Sequence, residues 1–150
     1  MSATALQNTP LVQTVQTVQT VQTVQTEIMD IVSEAAGIPA IGLLSPAVDY
    51  AMTFAGGKLR KKFLDVSGIH EMHVRIFGKG TDQLSVAERL CGICNFLTYR
   101  DLRKFRRTEQ WEIRRIAVEE APSLKGREED GKWFYSCMIS ITYYYKPERI

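Results

Sequence analysis

The segment from Lys132 to Tyr145 alternates between two sets of side chains. One set is Trp133, Tyr135, Cys137, Ile139, Ile141, Tyr143 and Tyr145, and the other is Phe134, Ser136, Met138, Ser140, Thr142 and Tyr144. Successive residues of a strand point to opposite faces, so this pattern predicts a long strand whose first set is core. The second set is too apolar for open water, and we expect a helix or a neighbouring subunit to cover it.

Hydrophobic periodicity and turn residues predict the remaining elements. The predicted helices span residues 27–36 and 83–99, and the predicted strands span residues 47–55, 58–66, 70–77 and 111–119. Ser67-Gly68 forms the first turn, and a loop from Gly126 to Gly131 precedes the last strand. This order favours an α+β fold, a mixed and largely antiparallel sheet with two main helices packed on one face.

Two predicted elements have informative side-chain patterns. The apolar stripe of the second helix is Val86, Leu90, Ile93, Cys94 and Leu97. Gly92, in the same helix, is expected to let another backbone approach closely. In the strand over residues 111–119, alternation places Trp111 and Ile113 on one face and Ile116 on the other.

Composition limits the class of protein. The chain has 150 residues and a net charge of +2, which predicts one globular domain without a global field for nucleic acid or an anionic membrane. No apolar run approaches the roughly 18 residues of a membrane-spanning helix, and we expect no signal peptide. Three cysteines in apolar contexts predict reduced thiols and a cytosolic setting.

Residues 12–26 are five tandem copies of Val-Gln-Thr. Period three matches neither a helix nor a strand, because the valines sweep round a helix and alternate faces on a strand. We divide the chain into residues 1–26, a low-complexity arm or helix extension, and residues 27–150, a single α+β domain. The tract is either a tolerated expansion, disordered or frayed from the next helix, or an arm that orders on a neighbouring subunit.

A search for catalytic chemistry leaves no credible set. Cys91 and Cys94 lack the two further ligands of a zinc site, and we interpret both as buried packing residues. His70 and His73 face opposite sides of a predicted strand, so they cannot bind one metal together and are interpreted as surface or edge histidines. We expect no catalytic, cofactor-binding or metal-ligating residues, no cofactor and no enzymatic activity.

Two charged clusters are candidate interfaces. The first is the basic run Arg100, Arg103, Lys104, Arg106 and Arg107, and the second is the acidic loop Glu128, Glu129 and Asp130. The basic run is a solvated face, a patch for an acidic protein surface, or a phosphate-binding patch of a small regulatory nucleic-acid-binding domain. The loop acids are interpreted as solvated, because a metal site would need more oxygen ligands in a tight turn.

Three short motifs resemble a known family. They are Arg60-Lys61-Lys62-Phe63-Leu64-Asp65-Val66-Ser67-Gly68, Phe77-Gly78-Lys79-Gly80-Thr81-Asp82-Gln83, and the closing Ala121-Pro122-Ser123-Leu124 with Gly126-Arg127-Glu128-Glu129-Asp130-Gly131 and Trp133-Phe134-Tyr135-Ser136. Together they are similar to the minor capsid and tail terminator proteins of tailed bacteriophages, over roughly residues 27–146. The Val-Gln-Thr tract departs from that pattern, and Asp65-Val66 replaces a common Asp-Gly, which predicts a longer first turn.

The resemblance implies a virion structural protein. Such a protein would form a homo-oligomeric ring, usually hexameric, at the head-proximal end of the tail tube. It would end tube polymerisation, contact the tail tube protein and the head-completion or connector protein, and pass DNA only transiently through its lumen. It would be made in the host bacterial cytoplasm, act in the tail–neck region and contact no membrane. A head–tail connector or stopper is the alternative within assembly proteins.

Overall fold

The computed structural model describes residues 22–39, 49–105 and 108–147. The elements are helix α1 over residues 22–36, strand β1 (Tyr50–Lys62), strand β2 (Gly68–Gly80), helix α2 (Gln83–Tyr99), a 3-10 turn (Leu102–Lys104), strand β3 (Trp111–Arg127) and strand β4 (Trp133–Tyr145). No helix in these ranges has the length and apolar character needed to cross a membrane.

The four strands form one sheet in the order β1-β2-β4-β3, and each neighbouring pair is antiparallel. The predicted α+β class is confirmed, but the sheet is wholly antiparallel among the described strands rather than mixed. Two hairpins, β1–β2 and β3–β4, account for this, because tight turns join antiparallel neighbours. Helix α2 connects β2 to β3, and β4 lies between these two strands in the sheet.

Both helices pack on the same face of the sheet. On α2, Cys94 Sγ lies 3.5 Å from Cys137 Sγ of β4. On α1, the amide of Gln25 donates a 3.4 Å hydrogen bond to the hydroxyl of Tyr143. Cys137 and Tyr143 are an even number of residues apart on β4, so they share a face. The packing of both helices on one face is therefore confirmed. The predicted core set of β4 is confirmed for Cys137, Ile139, Ile141, Tyr143 and Tyr145, whereas Trp133 and Tyr135 are only partly buried.

Helix α2 has the predicted bounds and buries the predicted stripe of five apolar residues. Asp82 caps its N-terminus by accepting a 3.1 Å hydrogen bond from the backbone N–H of Leu84, as Asp commonly does at this position. Helix α1 starts earlier than predicted, because residues 22–26 are already helical. Val24, Ile28 and Val32 lie one turn apart in α1, and all three are buried.

Strand β1 corrects one prediction. Gly56-Gly57 was expected to separate two strands, but a single strand continues through them with a register shift between Phe54 and Gly57. Gly56 has a φ of 112°, which favours glycine. A Cβ on Gly57 would lie 2.8 Å from the backbone oxygen of Glu71, so the partner strand approaches too closely for a side chain. The pair forms a β-bulge.

Strand β3 corrects a second prediction and also extends to Arg127, beyond the predicted end at residue 119. Ile113 lies opposite Tyr143 and Ile116 lies opposite Ile141, with a register shift in between. The extra residue at Arg114 turns Ile116 back towards the core, where it is buried with Ile113. Strict alternation had placed these two isoleucines on opposite faces.

Candidate functional site

We call the face of the sheet opposite the helices the open face. Its members include Glu71, His73, Arg75 and Phe77 of β2, Glu120 of β3, and Phe134, Met138 and Tyr144 of β4. Phe77 and Phe134 stack with ring centroids 5.4 Å apart, and both remain partly exposed. The expectation that a helix covers this face is not met by α1 or α2, which both lie on the other side. Cover by a neighbouring subunit stays a prediction.

Charged side chains on the open face are paired with one another. The carboxylate of Glu71, on a side chain only 10% exposed, lies 3.1 Å from His73 Nε2, 3.7 Å from Arg60 Nη2 and 3.8 Å from Lys58 Nζ. The hydrogen bond with His73 and the nearby cations hold the pKa of Glu71 below its ordinary value, although burial opposes them. Glu71 is therefore an ionised structural carboxylate rather than a proton donor near neutral pH.

A second charged group lies further along the same face. Glu120 accepts from Lys125 Nζ at 2.7 Å and lies 3.5 Å from Arg75 Nη1. The hydrogen bond from Lys125 lowers the pKa of Glu120. The carboxylates of Glu71 and Glu120 are thus paired with cations, and the aromatic and methionine side chains of the open face form its apolar part.

The β1–β2 hairpin ends in an exposed tip with an apolar surface. Leu64 at the tip is fully exposed, and Leu59, Phe63 and Val66 are also largely exposed. From Gly57 to Lys62 every residue of β1 is exposed. Four of these residues are basic, namely Lys58, Arg60, Lys61 and Lys62. Apolar and basic side chains thus share one projecting element.

Hydrogen bonds hold the hairpin tip in one conformation. The backbone N–H of Phe63 donates to Ser67 O at 2.8 Å, and that of Val66 donates to Phe63 O at 3.2 Å. Val66 has a φ of 65°, a conformation that non-glycine residues seldom adopt. The Ser67 hydroxyl and backbone N–H both donate to Asp65 and lower the pKa of its carboxyl group. The turn is longer, as predicted, and it directs Leu64 outward. Its position differs from the prediction, because β1 ends at Lys62 rather than at residue 66 and Gly68 is already the first residue of β2.

The basic run after α2 is partly occupied within the chain. Arg103 makes a two-pronged ion pair with Asp101, with nitrogen–oxygen distances of 3.1 and 3.0 Å. The Arg100 guanidinium lies over the rings of Phe96 and Phe105, at 5.3 and 5.0 Å from their centroids. Lys104 is exposed, and Arg106 and Arg107 lie outside the described residues. The role of the basic run as an interface stays a prediction.

The acidic loop connects β3 to β4 at the opposite corner of the sheet from the hairpin tip. Glu128 lies 3.6 Å from Lys79 Nζ, and Asp130 accepts a 2.9 Å hydrogen bond from the backbone N–H of Lys132. Glu129 is exposed. Glu128 and Asp130 thus have partners within the chain. An interface role for the acidic loop stays a prediction.

Cysteine and histidine positions refine the predictions for these residues. Cys94 and Cys137 are buried in contact, but Cys91 is exposed, which corrects its interpretation as a packing residue. His70 stacks on Tyr143 on the core face, whereas His73 pairs with Glu71 on the open face, as their opposite orientations predicted. Strand β2 is internal to the sheet, so neither is an edge histidine. No cluster of three metal-binding side chains occurs among the described residues.

A shallow groove runs between the two helices on the side of the molecule opposite the open face. Its volume is about 400 Å³, and it is lined by Ala35, Ala36, Arg89, Gly92, Ile93 and Phe96. A Cβ added at Gly92 would meet no atom of the described chain within 4 Å. The expected close approach of another backbone to Gly92 is therefore absent among the described residues.

Sequence reasoning missed the hairpin tip and the groove as surfaces. The signal for the tip was present, because apolar Leu64 and Val66 stand inside a turn, where polar residues are usual. The groove had no sequence signal, because its small residues come from two helices far apart in the chain.

Neither the known protein-family models nor the curated proteins contain a match to this chain. Among solved structures, the fold is similar to a chain in the "Virion of native gene transfer agent (GTA) particle". The TM-score is 0.48 and the identity 5%, over 76% of this chain and 84% of that chain. At so low an identity and TM-score, the likeness carries no argument about function.

Proposed function

We propose that this chain is a structural protein of a tailed-phage virion and acts as a tail terminator. In this role it forms a ring at the head-proximal end of the tail tube, ends tube polymerisation and joins the tail to the head-completion complex. The motif resemblance over roughly residues 27–146 suggests this role. The observation that supports it best is the open face, where neither described helix covers Phe77, Phe134, Met138 and Tyr144.

A partly exposed apolar face that no described helix covers is typical of a protein that works by assembly. Contiguous apolar surface favours association, and burying it stabilises a complex by about 25 cal/mol per Å². The open face and the helices lie on opposite sides of the molecule, so contact between them in successive copies is head-to-tail. Such an interface closes into a ring when the rotation between copies permits. A protein of this kind acts by geometry, and we propose that it has no catalytic turnover.

The mass of the purified full-length protein tests this proposal. We expect mass photometry and negative-stain imaging to show closed rings with a central opening, and the rings to bind the ends of tail tubes. The double variant Phe77→Ser with Phe134→Ser should lose ring formation while keeping its circular dichroism spectrum. Leu124→Ser, which alters an exposed leucine of β3 that lies on neither the open face nor a helix, is the matched control and should still assemble. A strictly monomeric protein that also fails to bind tube ends would refute the proposal.

A further inference from the structure

We propose that the β1–β2 hairpin tip of one copy inserts into the α1–α2 groove of the next copy. This inference rests on the proposed ring and identifies the contact between its subunits. The tip is the turn from Phe63 to Ser67, and the groove is the depression around Gly92.

The hairpin tip and the α1–α2 groove match in shape and polarity, because an apolar projection meets a mostly apolar recess. Leu64 projects from a turn that is fixed by hydrogen bonds, so little conformational entropy is lost when it docks. The groove lining includes the small residues Ala35, Ala36 and Gly92, which leave room for a projecting leucine. Phe96, which is 43% exposed, forms an aromatic wall. Apolar anchors that fill pockets of this kind commonly dominate the affinity of an interface.

Charge complementarity indicates that the occupant is a second copy. Lys58 is the first lysine or arginine of the whole chain. It begins the segment from Lys58 to Lys62, which contains four basic residues and leads to the tip. In contrast, the described part of α1 contains Glu27, Asp30 and Glu34 and no basic residue. Asp30 and Glu34 are exposed, and Glu34 adjoins the groove residue Ala35. The one basic groove residue, Arg89, has its guanidinium 4.2 Å from the ring centroid of Tyr50.

The arrangement of the two surfaces also favours assembly over self-contact. Leu64 is fully exposed, so the tip does not reach the groove of its own chain. A contact between two different surfaces of identical subunits is heterologous, and it repeats from copy to copy until the ring closes.

Two single substitutions test the contact without altering the core. Leu64→Ser removes the projecting side chain, and Gly92→Phe fills the groove, where the added Cβ meets no described atom within 4 Å outside its own helix turn. We expect each variant to keep the wild-type circular dichroism spectrum and to associate about tenfold or more weakly in sedimentation velocity, the effect of losing one anchor residue. Leu124→Ser, on β3 and outside both the tip and the helices, is the matched control and should associate like the wild type.

Charge reversal with rescue tests the pairing between copies. Lys61→Glu with Lys62→Glu should weaken association, and adding Asp30→Lys with Glu34→Lys should restore it, at low salt above all. If the wild type forms rings and both Leu64→Ser and Gly92→Phe do so equally well, this contact is wrong and the proposed function stands. If the wild type stays monomeric at high concentration, the contact is refuted, and the proposed function is refuted with it when that monomer also fails to bind tube ends.

Discussion

The indole N–H of Trp111 donates a 2.9 Å hydrogen bond to Glu27 Oε2, which joins the first residue of β3 to α1. Trp111 is fully buried, and 84 positions separate the two residues in the chain. A buried indole N–H needs such a partner, because an unsatisfied donor costs free energy. The bond therefore fixes where α1 lies against the edge of the sheet.

Replacement of this donor should destabilise the protein. For Trp111→Phe we expect the free energy of unfolding to fall by about 1–3 kcal/mol, because the carboxylate loses its donor and a smaller ring leaves a void. Urea denaturation followed by circular dichroism measures the loss. Glu27→Gln keeps an acceptor oxygen and is the control, with a smaller expected loss. Equal stability of Trp111→Phe and the wild type would show that the bond does not stabilise the fold.

The last copy of the Val-Gln-Thr tract contributes to the core through Val24, which is 3% exposed. We expect Val24→Ala to lower the free energy of unfolding by about 1–3 kcal/mol, because two buried methyl groups are lost. Thr23→Ala, at the exposed neighbouring position, should change it by no more than about 0.5 kcal/mol. If both variants unfold at the same urea concentration, Val24 does not anchor α1.

The three thiols should differ in reactivity. Cys91 is exposed, whereas Cys94 and Cys137 are buried, and the contact with Cys94 together with burial raises the pKa of the Cys137 thiol. Since the thiolate is the reactive form, a thiol reagent such as Ellman's reagent should modify one cysteine quickly in the native protein and all three in urea. Cys91→Ser should remove the fast reaction. Rapid modification of two or three thiols in the native state would contradict the buried contact.

The partly buried ring of His70 should make stability depend on pH. Burial lowers the pKa of His70, so the unfolded chain takes up its proton at a higher pH than the folded one. The contribution of His70 is therefore present above the unfolded pKa of about 6.5 and is lost as pH falls towards the folded value. Histidine titration by NMR should give a His70 pKa below 6.5.

Urea unfolding provides the matching stability test for His70. The free energy of unfolding should fall between pH 7 and pH 5, and His70→Phe should reduce that fall while keeping an aromatic ring against Tyr143. An unchanged slope in His70→Phe would assign the pH dependence to other groups.

Local sequence patterns predicted much of the fold. Helix α2 has the predicted bounds and stripe, and β4 follows the predicted alternation. The errors cluster at bulges. One added residue at Gly56 or Arg114 shifts the side chains that follow it to the other face of the sheet. A local pattern does not show this shift, because the partner strand that permits it lies elsewhere in the sequence.

The candidate surfaces were less predictable than the fold. The basic run was found as a charge cluster, but the ion pair of Arg103 with Asp101 and the position of Arg100 over two rings depend on local geometry. The groove around Gly92 exists only because α1 and α2 pack side by side. A sequence pattern records which residues are small, but not which helix comes to lie beside them.

The alternation from Lys132 to Tyr145 determined by itself that β4 is a strand with two distinct faces. It also identified the core set, because that set holds the larger share of aromatic and branched side chains. Whether anything covers Phe134, Met138 and Tyr144 could not follow from the pattern, because cover depends on elements elsewhere in the chain. The tertiary structure decided on which face the two described helices lie, because it places them against Cys137 and Tyr143 rather than against the opposite set.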